Sequence, residues 1–232
     1  MRIRHIASKL GRKFVYPFLP KRGRLPFNYW LHLLGGSIEP ELRHLRSICK
    51  EGGVAIDIGA NIGLYSYRMA RIFSKVYAFE INEDVTEDIV AYHSKNIEVI
   101  HSGLSSKAAE MTLHIPSLKG LVLHGWASLQ AGNCPDTSTH VTKAVNVRPL
   151  DSFSLRDVTF IKIDVEGHEI EVLRGGTKTI ADSRPVVLVE VKDENLRQVS
   201  SFFAALNYEE ISLQKICGVE GSRENRIYRP CA

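Results

Sequence analysis

From Val54 onward, short apolar runs alternate with segments whose apolar residues recur every three to four positions, a rhythm that predicts strands and amphipathic helices in turn. The runs 54–58, 75–79 and 97–101 read as strands, with helices over 61–72 and 83–93 between them. Repeats of this spacing imply parallel pairing with right-handed crossovers. The rhythm breaks between Ser102 and Asp157. There the alternating pieces Met111 to Ile115 and Val141 to Val147 predict β-hairpins within an insertion at about residues 105–156. It resumes with a strand from Thr159 to Asp164, a helix from Gly167 to Arg174 stopped by Gly175 and Gly176, a strand from Val186 to Glu190 and a helix from Asn195 to Leu206. A closing hairpin, Glu209 to Ser212 with Arg226 to Arg229, completes a seven-stranded, mostly parallel α/β sheet.

The chain divides into a basic N-terminal arm, residues 1–38, and a single domain, residues 39–232. In the arm, Ile3, Ile6, Leu10 and Phe14 fall on one side of a helix, with Arg2, Lys9, Arg12 and Lys13 on the others. That pattern suits residues 1–24 to an anionic membrane surface or a protein partner, and equally to packing on their own domain; an organelle transit peptide fits less well. Pro17, Pro20, Gly23 and Pro26 are expected to break the helix and lead into the core through Phe27, Tyr29, Trp30 and Leu34. Glu39 to Cys49 reads as a helix before the first strand.

Charge changes the picture. The net value is +4, but eight of the 30 basic residues precede the first acidic one, Glu39, so the domain itself is mildly acidic. A broad nucleic-acid groove is therefore not expected. No apolar run approaches the roughly 20 residues that span a bilayer, and the expected location is cytoplasmic, at most peripheral at a membrane face. The four cysteines are scattered without a C-x-x-C pair and no histidines fall at zinc-ligand spacing, which predicts a reducing compartment and no metal.

Two segments carry chemistry. In V-A-I-D-I-G-A-N-I-G, residues 54–63, a buried strand ends near Asp57 and turns through Gly59, Ala60, Asn61 and Gly63 toward a helix. The spacing lacks the middle glycine of a dinucleotide-binding turn, and Asp57 would repel a pyrophosphate. A nicotinamide-dependent oxidoreductase is thereby disfavoured. A ligand with ammonium and sulfonium groups, such as S-adenosylmethionine, would be attracted instead. Glu80, ending the next strand, is placed to accept both ribose hydroxyls of an adenosine. In F-I-K-I-D-V-E-G-H-E, residues 160–169, another strand ends in Asp164 and Glu166, with His168 at the following helix start. Ligands of open α/β sheets bind at the carboxyl ends of the strands, so Asp57, Glu80, Asp164 and Glu166 would border one crevice. A cationic cofactor would relieve their repulsion.

Together with V-Y-A-F-E, G-L-S at 103–105, R-P-L-D-S-F at 148–153 and V-V-L-V-E-V, these segments resemble the FkbM family of S-adenosylmethionine-dependent methyltransferases over roughly residues 40–215. The resemblance implies a Rossmann-like class I methyltransferase fold with helices on both faces and an antiparallel seventh strand. It also implies methyl transfer to a hydroxyl, often on a sugar, glycan or secondary metabolite. By position, Asp57, Gly59, Asn61 and Gly63 would cradle the methionine and ribose portions, Glu80 the ribose, and Gly103 and Leu104 the adenine, with Asp164 beside the cofactor. His168 stands where the family is often small or apolar.

An alcohol must lose a proton to be methylated, and Asp164, Glu166, His168 and Glu190 are the candidate bases. A binding protein that keeps the fold without turnover is the other alternative, and the intact strand-end acids argue against it. Within the insertion, Trp126, His114, His124 and His140 are available to contact a sugar acceptor.

Overall fold

A computed structural model of the chain describes residues 15–118, 121–122, 127–130, 132 and 139–231. The amphipathic segment from Ile3 to Phe14 lies outside them. Helix α1 (Lys21–Leu34) and two single turns, α2 (Pro40–Arg43) and α3 (Leu45–Ile48), precede the first strand. There follow β1 (Val54–Ile58), α4 (Leu64–Met69), β2 (Lys75–Phe79), α5 (Glu87–Tyr92), β3 (Ile97–Ile100), β4 (Gly103–Leu104), β5 (Ala109–Leu118), β6 (Leu121–Val122) and β7 (Thr139–Arg148). The chain closes with β8 (Val158–Ile163), α6 (Glu169–Gly175), α7 (Thr177–Ser183), β9 (Val186–Glu190), α8 (Asp193–Ala205), β10 (Tyr208–Ile211), α9 (Leu213–Cys217) and β11 (Asn225–Pro230). No helix among the described residues is long and apolar enough to cross a membrane.

Seven strands form the main sheet in the order β10-β11-β9-β8-β1-β2-β3, with β11 antiparallel to both neighbours and the other pairings parallel. The near-continuous apolar runs of β1, β8 and β9 suit strands covered on both faces. Alternate residues point to opposite sides. Ala55, Phe160 and Leu188 join one core layer, whereas Ile56, Ile161, Val187 and Val189 join the other. This is the Rossmann-like arrangement that the resemblance implies, and β1 and β8 lie side by side at its centre.

The departures from expectation have local causes. Pro20 only precedes α1, and Pro26 sits inside it. Burial of Leu25 and Tyr29 in the core layer that also holds Tyr67 offsets the hydrogen bond that Pro26 forfeits. Helix α1 thus packs on the domain, while Trp30 and Leu34, 53% and 84% exposed, do not enter the core. As expected, α6 stops at Gly175 with Gly176 as its C-cap, but α7 follows at once because Asp151 starts it. Its carboxylate accepts from the Lys178 and Thr179 amides at 3.0 and 2.8 Å and from the Thr179 hydroxyl at 2.7 Å, capping α7.

The interrupting segment forms a second sheet, β4-β7-β5-β6, in which β5 and β7 pair antiparallel from Ala109↔Val147 to Ser117↔Thr139. Its apolar face, Leu113, Ile115 and Val145, packs with Ile81, Ala127 and Leu129. Ser128 and Gln130 then tie it to the main sheet, donating to the carbonyls of Glu166 and Gly167 at 2.8 and 2.7 Å.

Candidate active site

The turn after β1 brings the backbone of two strands unusually close. Gly59 has φ +79°, and its amide and that of Ala60 donate to the Phe79 carbonyl at 2.9 and 3.0 Å. The Asp164 amide donates to the Ile58 carbonyl at 2.9 Å. A Cβ on Gly59 would lie 1.8 Å from the Asp164 carbonyl oxygen, so only glycine fits. Asn61, at φ +51°, continues the turn, and α4 begins at Leu64, three residues later than the sequence suggests. Gly63 lines neither of the pockets described below. A Cβ there would meet Ile89 at 2.9 Å, so its smallness serves packing against α5.

Two pockets open at the strand ends. The first, about 690 Å³ including its mouth, is walled by Phe79, Ile81, Leu104, Leu113, Ala127 and Leu129, with Glu80, Ser102 and His168 as polar groups. The second, about 650 Å³ including its open mouth, is bounded by Ser37, Ile38, Glu39, Asp57, Tyr65 and Lys162. They share Gly59, Asn61 and Asp164. Glu80 is 8% exposed and lines the first pocket, and its two oxygens accept from the Asn61 and Asn82 amides at 2.7 and 2.8 Å, with a further hydrogen bond from the Ile81 backbone. Burial raises its pKa, against these bonds. An apolar slot with a carboxylate on its wall fits a purine joined to a diol.

The second pocket is governed by Lys162, which sequence reading missed. Its ammonium is 1% exposed and stands 3.8 Å from Asp164 and 3.7 Å from Glu190. Burial works against that charge, but Asp164, Glu39, Glu190 and Asp57 outweigh it and leave the pKa raised. Asp57 is also buried, accepts from the Ser66 hydroxyl at 2.5 Å and is pushed up to about 6 by burial. It lines the second pocket and not the first. Replacing Lys162 by methionine should destabilise the domain by about 3 kcal/mol, the lower end for a broken buried ion pair, because the abandoned carboxyls can take up protons. Differential scanning calorimetry should show Tm falling by roughly 6–12 °C.

The remaining candidates separate in space. Glu166, at φ +50°, lies 3.8 Å from Lys192 and is pushed up to about 7 by burial and by Asp164. Glu190 lines neither pocket and stands behind Lys162, its pKa raised by burial and then by Asp164. His168 is buried and lines the first pocket, its Nε2 3.0 Å from the Ser105 hydroxyl, and burial lowers its pKa. Among the described residues no group of three or more His, Cys, Asp or Glu side chains is arranged to hold a metal ion. In the insertion, Trp126, His124 and the side chain of His140 lie outside the described residues, and the backbone of His114 pairs with Ser128.

These raised carboxyls tie stability to pH. An acid whose folded pKa exceeds its unfolded value adds stability below the unfolded pKa, near 4, and loses it as pH rises through the folded one. For Asp57 and Glu166 that window runs from about 4 to about 7. Their contribution should lower Tm between pH 5.5 and pH 8, and Glu166→Gln should flatten the slope in paired thermal melts.

Comparison with known proteins agrees with this geometry. Residues 57–210 match the family model described as the methyltransferase FkbM domain. Over 157 residues the chain is 26% identical to the hexuronic acid methyltransferase AglP of Haloferax volcanii, covering 65% of this chain and 60% of that one. The crystal structure of methyltransferase FkbM from Methylobacillus flagellatus KT superposes with a TM-score of 0.53 at 15% identity, over 94% of this chain and 60% of that one. The chain thus spans about three fifths of the length of both. With its family match running from the end of β1 to β10, the chain belongs to the FkbM methyltransferase family.

Proposed function

We propose that this chain transfers a methyl group from S-adenosylmethionine to a hydroxyl of a sugar or related metabolite. The carrying observation is that Asp164 lines both pockets at once, so this one acidic residue stands where the first pocket and the neighbouring cavity meet. The residues fit the cofactor: Glu80 sets a carboxylate beside apolar walls, and the acidic surroundings of Asp164 favour a cation. When bound, S-adenosylmethionine would supply a methyl group on a sulfonium, whose departure requires no acid. The chain's own work is orientation and deprotonation. Asp164 accepts the acceptor's hydrogen bond and then its proton, and Lys162, between Asp164 and Glu190, holds the carboxylate in place. Orientation of this kind contributes roughly 7 to 11 kcal/mol in well-aligned reactions. That a relative at 26% identity is named for hexuronic acid methylation supports a sugar acceptor.

Incubating the protein with methyl-labelled S-adenosylmethionine and fractionated cell extract tests the proposal. Label should enter a small-molecule or glycan fraction through a bond stable to mild base, as an ether is and an ester is not. Labelling confined to protein or nucleic acid would overturn the assignment.

A further inference from the structure

We infer that the outer face of helix α1 seats this protein on an anionic bilayer surface. The inference stands independently of the methyl-transfer reading. Hydrophobic patterning is the first argument. Leu25, Asn28 and Tyr29 are buried against the domain. On the opposite side of the helix Gly23, Phe27, Trp30 and Leu34 recur at intervals of four, three and four, and none of them is polar. Between Arg24 and Glu39 the chain carries no Asp, Glu, Lys or Arg, so beyond its first turn α1 has no charged face to give to water. A helix apolar on both sides belongs inside a core or against lipid, and this one has the core on one side only. Trp30 and Leu34, which the sequence leads one to place in the core, are exposed, and Phe18, just before the helix, is 87% exposed. Trp30 is nonetheless held: its indole N–H donates to the Tyr67 hydroxyl, and its ring meets that of Tyr29 edge-on at 5.8 Å.

Charge selects the occupant. Residues 1–38 contain eight Lys and Arg and no Asp or Glu. Three of these cations, Lys21, Arg22 and Arg24, open α1, and Lys21 and Arg22 are exposed. Helix α5 sets two acids against them. Asp88 is taken by Tyr16 and Asn28, and Glu87 lies 2.8 Å from Lys21 and 3.9 Å from Arg24 in an exposed pairing that lipid phosphates can replace. Exposed Trp, Phe and Leu side chains beside Lys and Arg are the composition of a helix lying in the headgroup region of an anionic membrane. A second copy of the chain fits less well. Phe18, Trp30 and Leu34 together expose roughly 400 Å², about half of what each partner buries in a stable dimer.

The test is vesicle sedimentation of the full chain, on phosphatidylcholine alone and on phosphatidylcholine with a quarter of phosphatidylglycerol. Binding to the anionic vesicles should be at least fivefold stronger and should weaken at high salt. In a Trp126→Phe background Trp30 is the sole tryptophan. Its emission should shift to the blue on binding and be quenched by lipids brominated in the upper acyl chain. Phe18→Ala combined with Leu34→Ala should weaken binding at least fivefold while Tm moves by less than about 2 °C, because both side chains are exposed. No vesicle binding, equal binding to neutral vesicles, an unquenched Trp30, or binding untouched by the paired alanines would each overturn the inference, the last by assigning attachment to residues 1–14 or another surface. A dimer lost in the paired variant, with no vesicle binding by either protein, would give the face to a second copy instead.

Discussion

Gly59→Ala is expected to abolish cofactor binding and to lower domain stability by more than about 4 kcal/mol. The added Cβ would lie 1.8 Å from the Asp164 carbonyl oxygen and 2.9 Å from its carbon. Both are backbone atoms, so no side chain can swing aside. The backbone at φ +79° adds a left-handed penalty of roughly 1–2 kcal/mol. Relief requires β1 and β8 to part at the Ile58–Asp164 hydrogen bond, which is where the two pockets meet. Gly52→Ala is the control: it has φ +85° but nothing within 4 Å of the added atom, so it should carry the backbone penalty alone. Thermal melts and calorimetric titration with S-adenosylhomocysteine on both variants separate clash from strain. Equal effects in the two would contradict the close approach of the strands.

Asp164→Asn should cut turnover by about 10²–10⁴-fold, the usual contribution of a positioned base. S-adenosylhomocysteine affinity should change by less than about tenfold. The amide matches the carboxylate in shape and can still accept a hydrogen bond, but it cannot take a proton. Glu190→Gln, on a residue that lines neither pocket, should cost much less. With the acceptor fraction from the labelling screen, kcat and cofactor Kd of both variants decide the matter. Turnover by Asp164→Asn within a few-fold of wild type would move the base elsewhere, with Glu166, which also lines the first pocket, as the next residue to change.

What could be read in advance followed local periodicity and punctuation. The seven main strands appear within a residue or two of their expected positions because parallel strands buried on both faces are continuous apolar runs. The places of Gly59 in the turn after β1 and of Glu80 after β2 were legible because both are fixed by sequence spacing. Gly63 shows the limit of that inference: the same turn needs it for contact with Ile89, a residue 26 positions on. The second pocket was hidden because Ser37, Ile38 and Glu39 reach Tyr65 and Lys162 only through tertiary packing. A signal for Lys162 did exist, since it is the one charged residue in the run F-I-K-I, and a charge buried in a central strand requires partners. The insertion was found as hairpins, but its side of the site was not, because the anchors from Ser128 and Gln130 to Glu166 and Gly167 leave no trace in spacing. Asp151 likewise has its meaning from the amides 27 and 28 residues later that it caps.

The central claim is that the crevice beside Asp164 and Glu80 is built for a cationic adenosyl cofactor and not for a dinucleotide. Isothermal titration of the purified chain with S-adenosylmethionine, S-adenosylhomocysteine and NAD tests it most directly. Saturable binding of both adenosyl compounds at micromolar concentrations, with no heat from NAD, is the predicted result; NAD binding, or silence from both adenosyl compounds, would contradict it.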